Sequence, residues 1–229
     1  MNIFLAIQNN YHNVQLALFD GQKMLAQRSI DKKEASKLLI IKLANLLDQQ
    51  QIKLADLPFI AANQGPAPFT TLRVVIASVN GLSFASNIPL IGVDAFDAMQ
   101  AEWKDPSYPT TIILFNAFAG EVYFAIEQPG QSITKGYQHI DSLLEQSTHL
   151  SGTIRFIGNG THLYHEKIRS RLGNKAYIPE PVPSYSSIEK IALLGYQQWQ
   201  KGNRGSHQLL PLYLKKHPAQ LRFSSSSDY

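Results

Sequence analysis

The stretch Gln64-Gly65-Pro66-Ala67-Pro68-Phe69-Thr70-Thr71-Leu72-Arg73 comes nearest to a chemical site in residue type and spacing. A glycine permits a tight turn and close backbone approach, the prolines stiffen the entry, and Thr70 or Thr71 is placed to cap a following helix. Such a helix start can hold an anion. A rigid capped turn uses the same residues with no ligand, and physics alone favours that plainer role. His162 and His165 stand three apart at a predicted helix start, but two ligands do not complete a zinc site, and Glu166 points elsewhere on the helix. Asp94 and Glu121 are the acidic residues nearest predicted loop ends, where turn or cap roles outweigh a catalytic pair. Tyr11 and His12, in the first turn, read as surface residues. The chain has no Walker loop, Gly-x-Ser-x-Gly elbow or His-Glu-x-x-His motif. It has no cysteine either, which excludes disulfides, thiolate metal sites, iron–sulfur clusters and a cysteine nucleophile.

The elements that would position these residues fall into two similar series. Residues 2–8, 14–19 and 23–30 read as a three-stranded meander, with Asp20-Gly21 as the second turn. A helix over 34–50, a short buried strand over 57–62, a Gly/Pro loop and a second helix over 70–86 follow. The second series has strands at 110–115, 121–127 and 132–136, a helix at 140–146, a strand at 153–157, the loop Gly158-Asn159-Gly160 and a helix at 162–172. Three strands, helix, strand, helix, twice over, is an α/β plan: a duplicated ribonuclease-H-like (actin-like) fold of two βββαβα lobes. The lobes are placed at 1–104 and 105–217, the second containing a further helix over 184–201 and an extended apolar docking segment, Leu209 to Leu214. Residues 218–229 read as a loose polar tail.

Both helices of the first series are apolar on two sides. On 34–50, Leu39, Ile40, Leu43, Leu46 and Leu47 would face the sheet, with Leu38, Ile41 and Asn45 on the far side. On 70–86, Leu72, Val75, Ile76, Val79 and Leu82 would face the core. Arg73, Val74, Ala77, Ser78, Gly81, Phe84 and Ala85 lie opposite, Arg73 being the helix's single charge. A helix apolar on both sides must bury both, and small residues let another helix approach closely. That second face is assigned to a partner.

With those residues in hand, the chain resembles the TsaB (YeaZ) family. Gly65-Pro66-x-x-Phe69-Thr70-x-Leu72-Arg73 is similar to its Gly-Pro-Gly-Ser-Phe-Thr-Gly-Leu-Arg signature. Gly81-Leu82, Ile88 to Val93, the turn Asn116-Ala117-x-x-Gly120-Glu121-Val122-Tyr123, Gly158-Asn159-Gly160 and Leu210-Pro211-Leu212-Tyr213-Leu214-Lys215 follow in the family's order. The resemblance implies an actin-like fold and a noncatalytic subunit of the machinery that makes threonylcarbamoyladenosine at position 37 of tRNA. It implies pairing with a TsaD-type catalytic subunit, a TsaE-type ATPase joining the pair, tRNA engaged through the complex, and a homodimer when the partner is absent. ATP and metal are expected on the partner subunits and no cofactor on this one. Where the family tends to carry Asp-Thr-Ser after the first strand this chain has Gln8-Asn9-Asn10, and Ala67 and Thr71 replace signature glycines. A third small position is Val75, and Asn116 stands where an aspartate is usual. These departures argue against phosphate binding and leave the partner role intact. The alternative is a degenerate actin-like ATPase or glycoprotease-type peptidase acting alone.

A net charge of +4 with scattered basic residues announces no nucleic-acid stripe; the densest basic clusters are 31–34 and 213–217. The N-terminal apolar run is too short for a signal peptide, and no later run is expected to span a membrane, so the expected address is the cytoplasm.

Overall fold

In the computed structural model, which describes residues 2–214, each half builds a five-stranded sheet. The first contains β1 (Ile3–Asn9), β2 (Asn13–Asp20), β3 (Lys23–Asp31), β4 (Ile60–Gly65) and β5 (Leu90–Asp94) in the order β3-β2-β1-β4-β5. β6 (Thr110–Asn116), β7 (Glu121–Glu127), β8 (Thr134–His139), β9 (Ile154–Ile157) and β10 (Ala176–Tyr177) form the second sheet in the equivalent order, β8-β7-β6-β9-β10. In both, the meander is antiparallel and the last two strands run parallel to the central one. The duplicated βββαβα plan therefore holds, with a fifth strand closing each sheet.

Central β1 is buried from Phe4 to Asn9, as a strand covered on both faces must be. One face packs on α1 (Ala35–Gln49) and α2 (Phe69–Ser86), through Leu5, Ile7, Leu39, Leu43, Leu72, Val75 and their neighbours. α2 ends where Asn87 takes the left-handed conformation (φ 58°) and donates to Ser83 O. The other face receives α7 (Ile188–Gln200), whose Ile188, Ala192 and Tyr196 meet Phe4, Phe19, Ala61 and Ile91. The boundary at 104/105 thus separates the sheets but not the helices: α7 and the segment after it, assigned by sequence to the second lobe, pack on the first. Gly195 allows this, since a Cβ there would sit 2.5 Å from that of Ala61.

The second sheet is covered on one side by α4 (Ile140–Thr148) and α6 (His165–Leu172), and on the other by α3 (Ala95–Trp103), a helix the sequence reading did not place. α3 and α7 also meet each other through Ala98, Ile191 and Leu194, so they form a shared layer between the lobes. The expected helix over 162–172 is broken at Tyr164 into α5 (Asn159–Leu163) and α6. Contrary to expectation, α2 has the length and hydropathy of a membrane-crossing helix. Its buried residues are spent on the first sheet. The 215–217 part of the C-terminal basic cluster and the tail 218–229 lie outside the described residues.

Two local features tie the lobes and their loops. Asp94 caps α3 by accepting from Phe96 N (2.7 Å), and its other oxygen accepts from Lys135 Nζ of β8 (2.7 Å), which also reaches Asp97. Burial raises the Asp94 carboxyl above its usual range even though Lys135 and Phe96 N pull it down. Burial also opposes the charge on Lys135, but the two carboxylates outweigh it and raise its pKa. A carboxyl with a raised pKa costs native-state stability once pH climbs above its ordinary value. Lys135→Met enlarges that cost. Its stability should match the parent below about pH 4 and fall behind by roughly 1–2 kcal/mol by neutral pH, discounted for the half-exposed lysine. Urea unfolding across pH measures the gap.

In the loop before α5, Gly158 has φ 97°, and a Cβ would lie 2.2 Å from the Leu114 carbonyl oxygen. Backbone cannot step aside cheaply. Gly158→Ala should lower stability by about 2–4 kcal/mol, seen as a lower urea midpoint with unchanged slope.

Candidate functional site

α1 and α2 lie side by side on the first sheet, which brings the sequence-assigned face together. Ile41, Asn45, Arg73, Ala77, Gly81, Phe84 and Ala85 are exposed, Ile41 by 54% and Phe84 by 91%. Val74 and Ser78 are half-buried, and Leu38 and Val74 lean on the first core from its margin. A Cβ on Gly81 would meet nothing within 4 Å, so the helix surface there is flat and open. Ile40, expected in the core, is 49% exposed and joins the outer face. Ala35 at the first turn of α1 is buried as well, and on α2 Leu82 packs half-buried against the core beside fully buried Ser83, whose hydroxyl donates to Ile88 O (2.6 Å). The outcome is an apolar surface of scattered large side chains around a small-residue patch.

The signature turn feeds this surface. Gly65 has φ 103° and its N–H donates to Asn63 Oδ1 (2.7 Å), while Leu72 packs so close that a Cβ on Gly65 would lie 2.9 Å from it. Neither Thr70 nor Thr71 caps α2. The helix starts one residue earlier than expected, Pro68 occupies the cap position without a side-chain bond, and its carbonyl accepts from Leu72 N (2.9 Å). Thr71 is buried and Thr70 faces solvent. Pro66 and Ala67 are buried beneath the turn.

The segment after α7 returns along α2, as the docking reading of Leu209 to Leu214 anticipated. Ser206 and Leu90 exchange backbone bonds (2.8 and 3.0 Å), and the Asn80 side-chain amide both donates to Leu209 O (3.0 Å) and accepts from Leu209 N (2.8 Å). Gln64 donates to Leu210 O (3.1 Å) while its own carbonyl accepts from Leu212 N (2.8 Å). Gly92 on β5 leaves room for the Gln64 side chain, which a Cβ there would strike at 1.9 Å. At the end of this strap Tyr213 stacks on Phe69 (5.0 Å), and the Arg73 guanidinium lies 4.3 Å from the Phe69 ring centre with Nε donating to the Tyr213 hydroxyl (3.3 Å). The sequence reading placed Arg73 on the face but not its aromatic setting. The polar residues Asn80 and Gln64, in otherwise apolar surroundings, were the available signal.

The cleft between the lobes is where an actin-like protein would hold a nucleotide. Here it is a cavity of about 10 Å³ lined by Gln8, Asn9, Asn63, Pro66, Phe115, Tyr185 and their neighbours, with no charged side chain. Gln8 Nε2 closes it by donating to Ser186 O (2.8 Å), and Asn63 Nδ2 donates to Asn9 O (3.2 Å). Tyr11, read from sequence as a surface residue, is instead buried in this seam. Its hydroxyl donates to Asn116 O (2.5 Å) and its ring stacks on Tyr185 (5.8 Å). Burial pushes that phenol well above its ordinary range, so it stays a neutral donor. His12 is exposed. These residues do not fit a magnesium-bound nucleotide: the space is about that of one water, and neither a carboxylate for the metal nor a cation for phosphate lines it.

The remaining candidates stay apart. His162 is exposed and His165 Nδ1 lies 3.2 Å from its neighbour Glu166; among the described residues no three His, Asp or Glu converge on a metal position. Asp94 serves as a cap and ion-pair partner. Glu121 opens β7 within the Ala117–Glu121 turn.

The family described as TsaD: tRNA N6-adenosine threonylcarbamoyltransferase matches residues 29–219. Among curated proteins, the tRNA threonylcarbamoyladenosine biosynthesis protein TsaB of Escherichia coli K12 is 24% identical over 163 residues, 68% of this chain and 71% of that protein. The protein of the same name from Buchnera aphidicola subsp. Schizaphis graminum is 26% identical over 124 residues. That match covers 54% of this chain and spans 59% of the Buchnera protein. YeaZ from Pseudomonas aeruginosa superposes with a TM-score of 0.68 at 22% identity, over 93% of this chain and the whole of that one, and so shares the fold.

Proposed function

This chain belongs to the family described as TsaD, and within it to the TsaB (YeaZ) proteins of tRNA threonylcarbamoyladenosine biosynthesis; on that premise we propose that it is the noncatalytic partner of a TsaD-type catalytic subunit. Its part in forming threonylcarbamoyladenosine at position 37 of tRNA is to dock and hold the subunit that performs the transfer. The observation that carries this reading is the outer face of α1 and α2, where Ile41 and Phe84 stand in water beside Ala77, Gly81 and Ala85. Exposed apolar surface of this kind is stabilised by covering it, and small residues at 77, 81 and 85 suit a close helix–helix crossing. In the absence of the catalytic subunit the same face would meet its copy, giving a homodimer. A TsaE-type ATPase and tRNA would engage the assembled pair in the cytoplasm, with ATP and metal on the partner subunits.

The face is tested by copurification with the catalytic subunit of the same organism. The parent chain should pair. Ala77→Glu and Gly81→Arg, which place a charge or a long side chain in the flat patch without touching the core, should each weaken pairing at least about a hundredfold. Pairing of both variants at parental affinity would overturn the assignment.

An autonomous ATPase or peptidase needs a site that the interlobe residues Gln8, Asn9 and Asn63 are poorly equipped to supply. Calorimetric titration of the isolated chain with ATP and magnesium should give no saturable heat at micromolar concentrations; tight binding would favour the enzyme reading.

A further inference from the structure

The exposed surface does not end at the helices. On the flank of α2 away from α1, the strap continues it with Leu210, 68% exposed, and Tyr213, 48% exposed. Between strap and helix lies Arg73, which is exposed yet ordered on three sides: its guanidinium rests over Phe69 at 4.3 Å, Tyr213 stacks on the same Phe69, and the Tyr213 hydroxyl accepts from Nε. A guanidinium held this way has lost much of its rotamer freedom before any partner arrives. Among the described residues its remaining N–H groups have no hydrogen-bond partner and no carboxylate pairs with it. α2 contains no other charged residue.

Resting on the pairing proposed above, we propose that the Phe69–Arg73–Tyr213 cluster is the polar anchor of that interface, receiving a carboxylate side chain of the catalytic subunit. The strap residues Leu210 and Tyr213 form the second edge of the docking surface. Three features favour a protein carboxylate over a nucleic-acid phosphate. The cation is single, whereas surfaces that track phosphates gather several. Its neighbours on the outer face, Val74 and Ala77, are apolar or small, so docking would strip water from the pair and reward a bidentate, planar match. Arginine set among aromatic side chains is also the composition of interface hot spots.

Asn80 and Gln64 act as positioning residues. Their hydrogen bonds to the strap backbone at Leu209, Leu210 and Leu212 fix the height at which Tyr213 meets Arg73.

The experiment measures affinity between the full chain and the catalytic subunit of its own organism at low and high salt, with melting temperature as a folding control. Arg73→Gln should weaken pairing about thirtyfold and flatten its salt dependence. Arg73→Lys keeps the charge and loses the stacked fork. It should weaken pairing about tenfold with the salt dependence retained. Tyr213→Phe should stay within about threefold of the parent, and Tyr213→Ala should approach Arg73→Gln. Should Tyr213→Ala prove unstable, the Arg73 pair decides alone, because neither substitution touches the strap backbone. If Ala77→Glu abolishes pairing while Arg73→Gln stays within twofold of the parent at both salt concentrations, the anchor is wrong and the docking face stands. If Ala77→Glu is neutral, the docking face itself fails. A loss confined to tRNA affinity in the assembled pair would assign Arg73 to phosphate and overturn the carboxylate.

Discussion

A strand buried on both faces needs a layer on each side, and β1 and β6 impose that demand twice in one chain. The helices between strands supply only one layer per sheet: α1 and α2 for the first, α4 and α6 for the second. The missing layers come from α3 and α7, which lie between the sheets and touch each other as well as the strands. Each lobe is completed by a helix lying beyond its own βββαβα series. The seam between lobes is accordingly closely packed, with Tyr11, Gln8 and Asn63 bonding to backbone of neighbouring segments, while Gln8 Oε1 and the Asn9 side-chain amide are buried without a hydrogen-bond partner among the described residues. Closure of that seam leaves between the lobes a cavity of about 10 Å³ whose lining contains no charged side chain.

The surface proposed for docking lies on the outside of the first lobe through the same arrangement. With its inner face given to the sheet, α2 has apolar residues left over, and the strap covers only one flank. The remaining strip is costly to leave wet: burying a phenylalanine side chain such as Phe84 is favourable by about 1.5–3 kcal/mol. Three details set this strip apart from a uniformly apolar patch. Gly81 and Ala77 flatten it, and Arg73 adds a polar element at one edge.

Much of this was legible in the sequence, for reasons that differ by element. The two meanders and their order could be read because alternating or continuously apolar runs separated by Asp20-Gly21 and Ala119-Gly120 turns are local signals. The outer faces of α1 and α2 could be read because 3.6-residue periodicity reports both sides of a helix. α3 was not legible: it begins at Ala95 directly after β5, with no loop to mark it, and is nine residues long. Tyr11 looked like a turn residue, and its burial comes from residues remote in sequence, among them Ala95, Asn116, Tyr123 and Tyr185. The destination of α7 was hidden for the same reason, since its apolar face would suit either sheet and the contacts that decide it, such as Gly195 against Ala61, join residues far apart in sequence. The cap of α2 was misplaced because prolines at 66 and 68 bring the chain into helical geometry one residue before the threonines.

The crossing of α7 to the first sheet also orders events in time. A ribosome makes residues 1–94 first, so the Phe4, Phe19, Ala61 and Ile91 face of that sheet exists before the helix that covers it. Roughly a hundred residues separate the two, or about five to twenty seconds of synthesis at about 5–20 residues per second. During that interval α7 is not there to cover the sheet face opposite α1 and α2. Completion of the first lobe waits for α7 to emerge, which makes that helix the closing step of folding for the amino-terminal half.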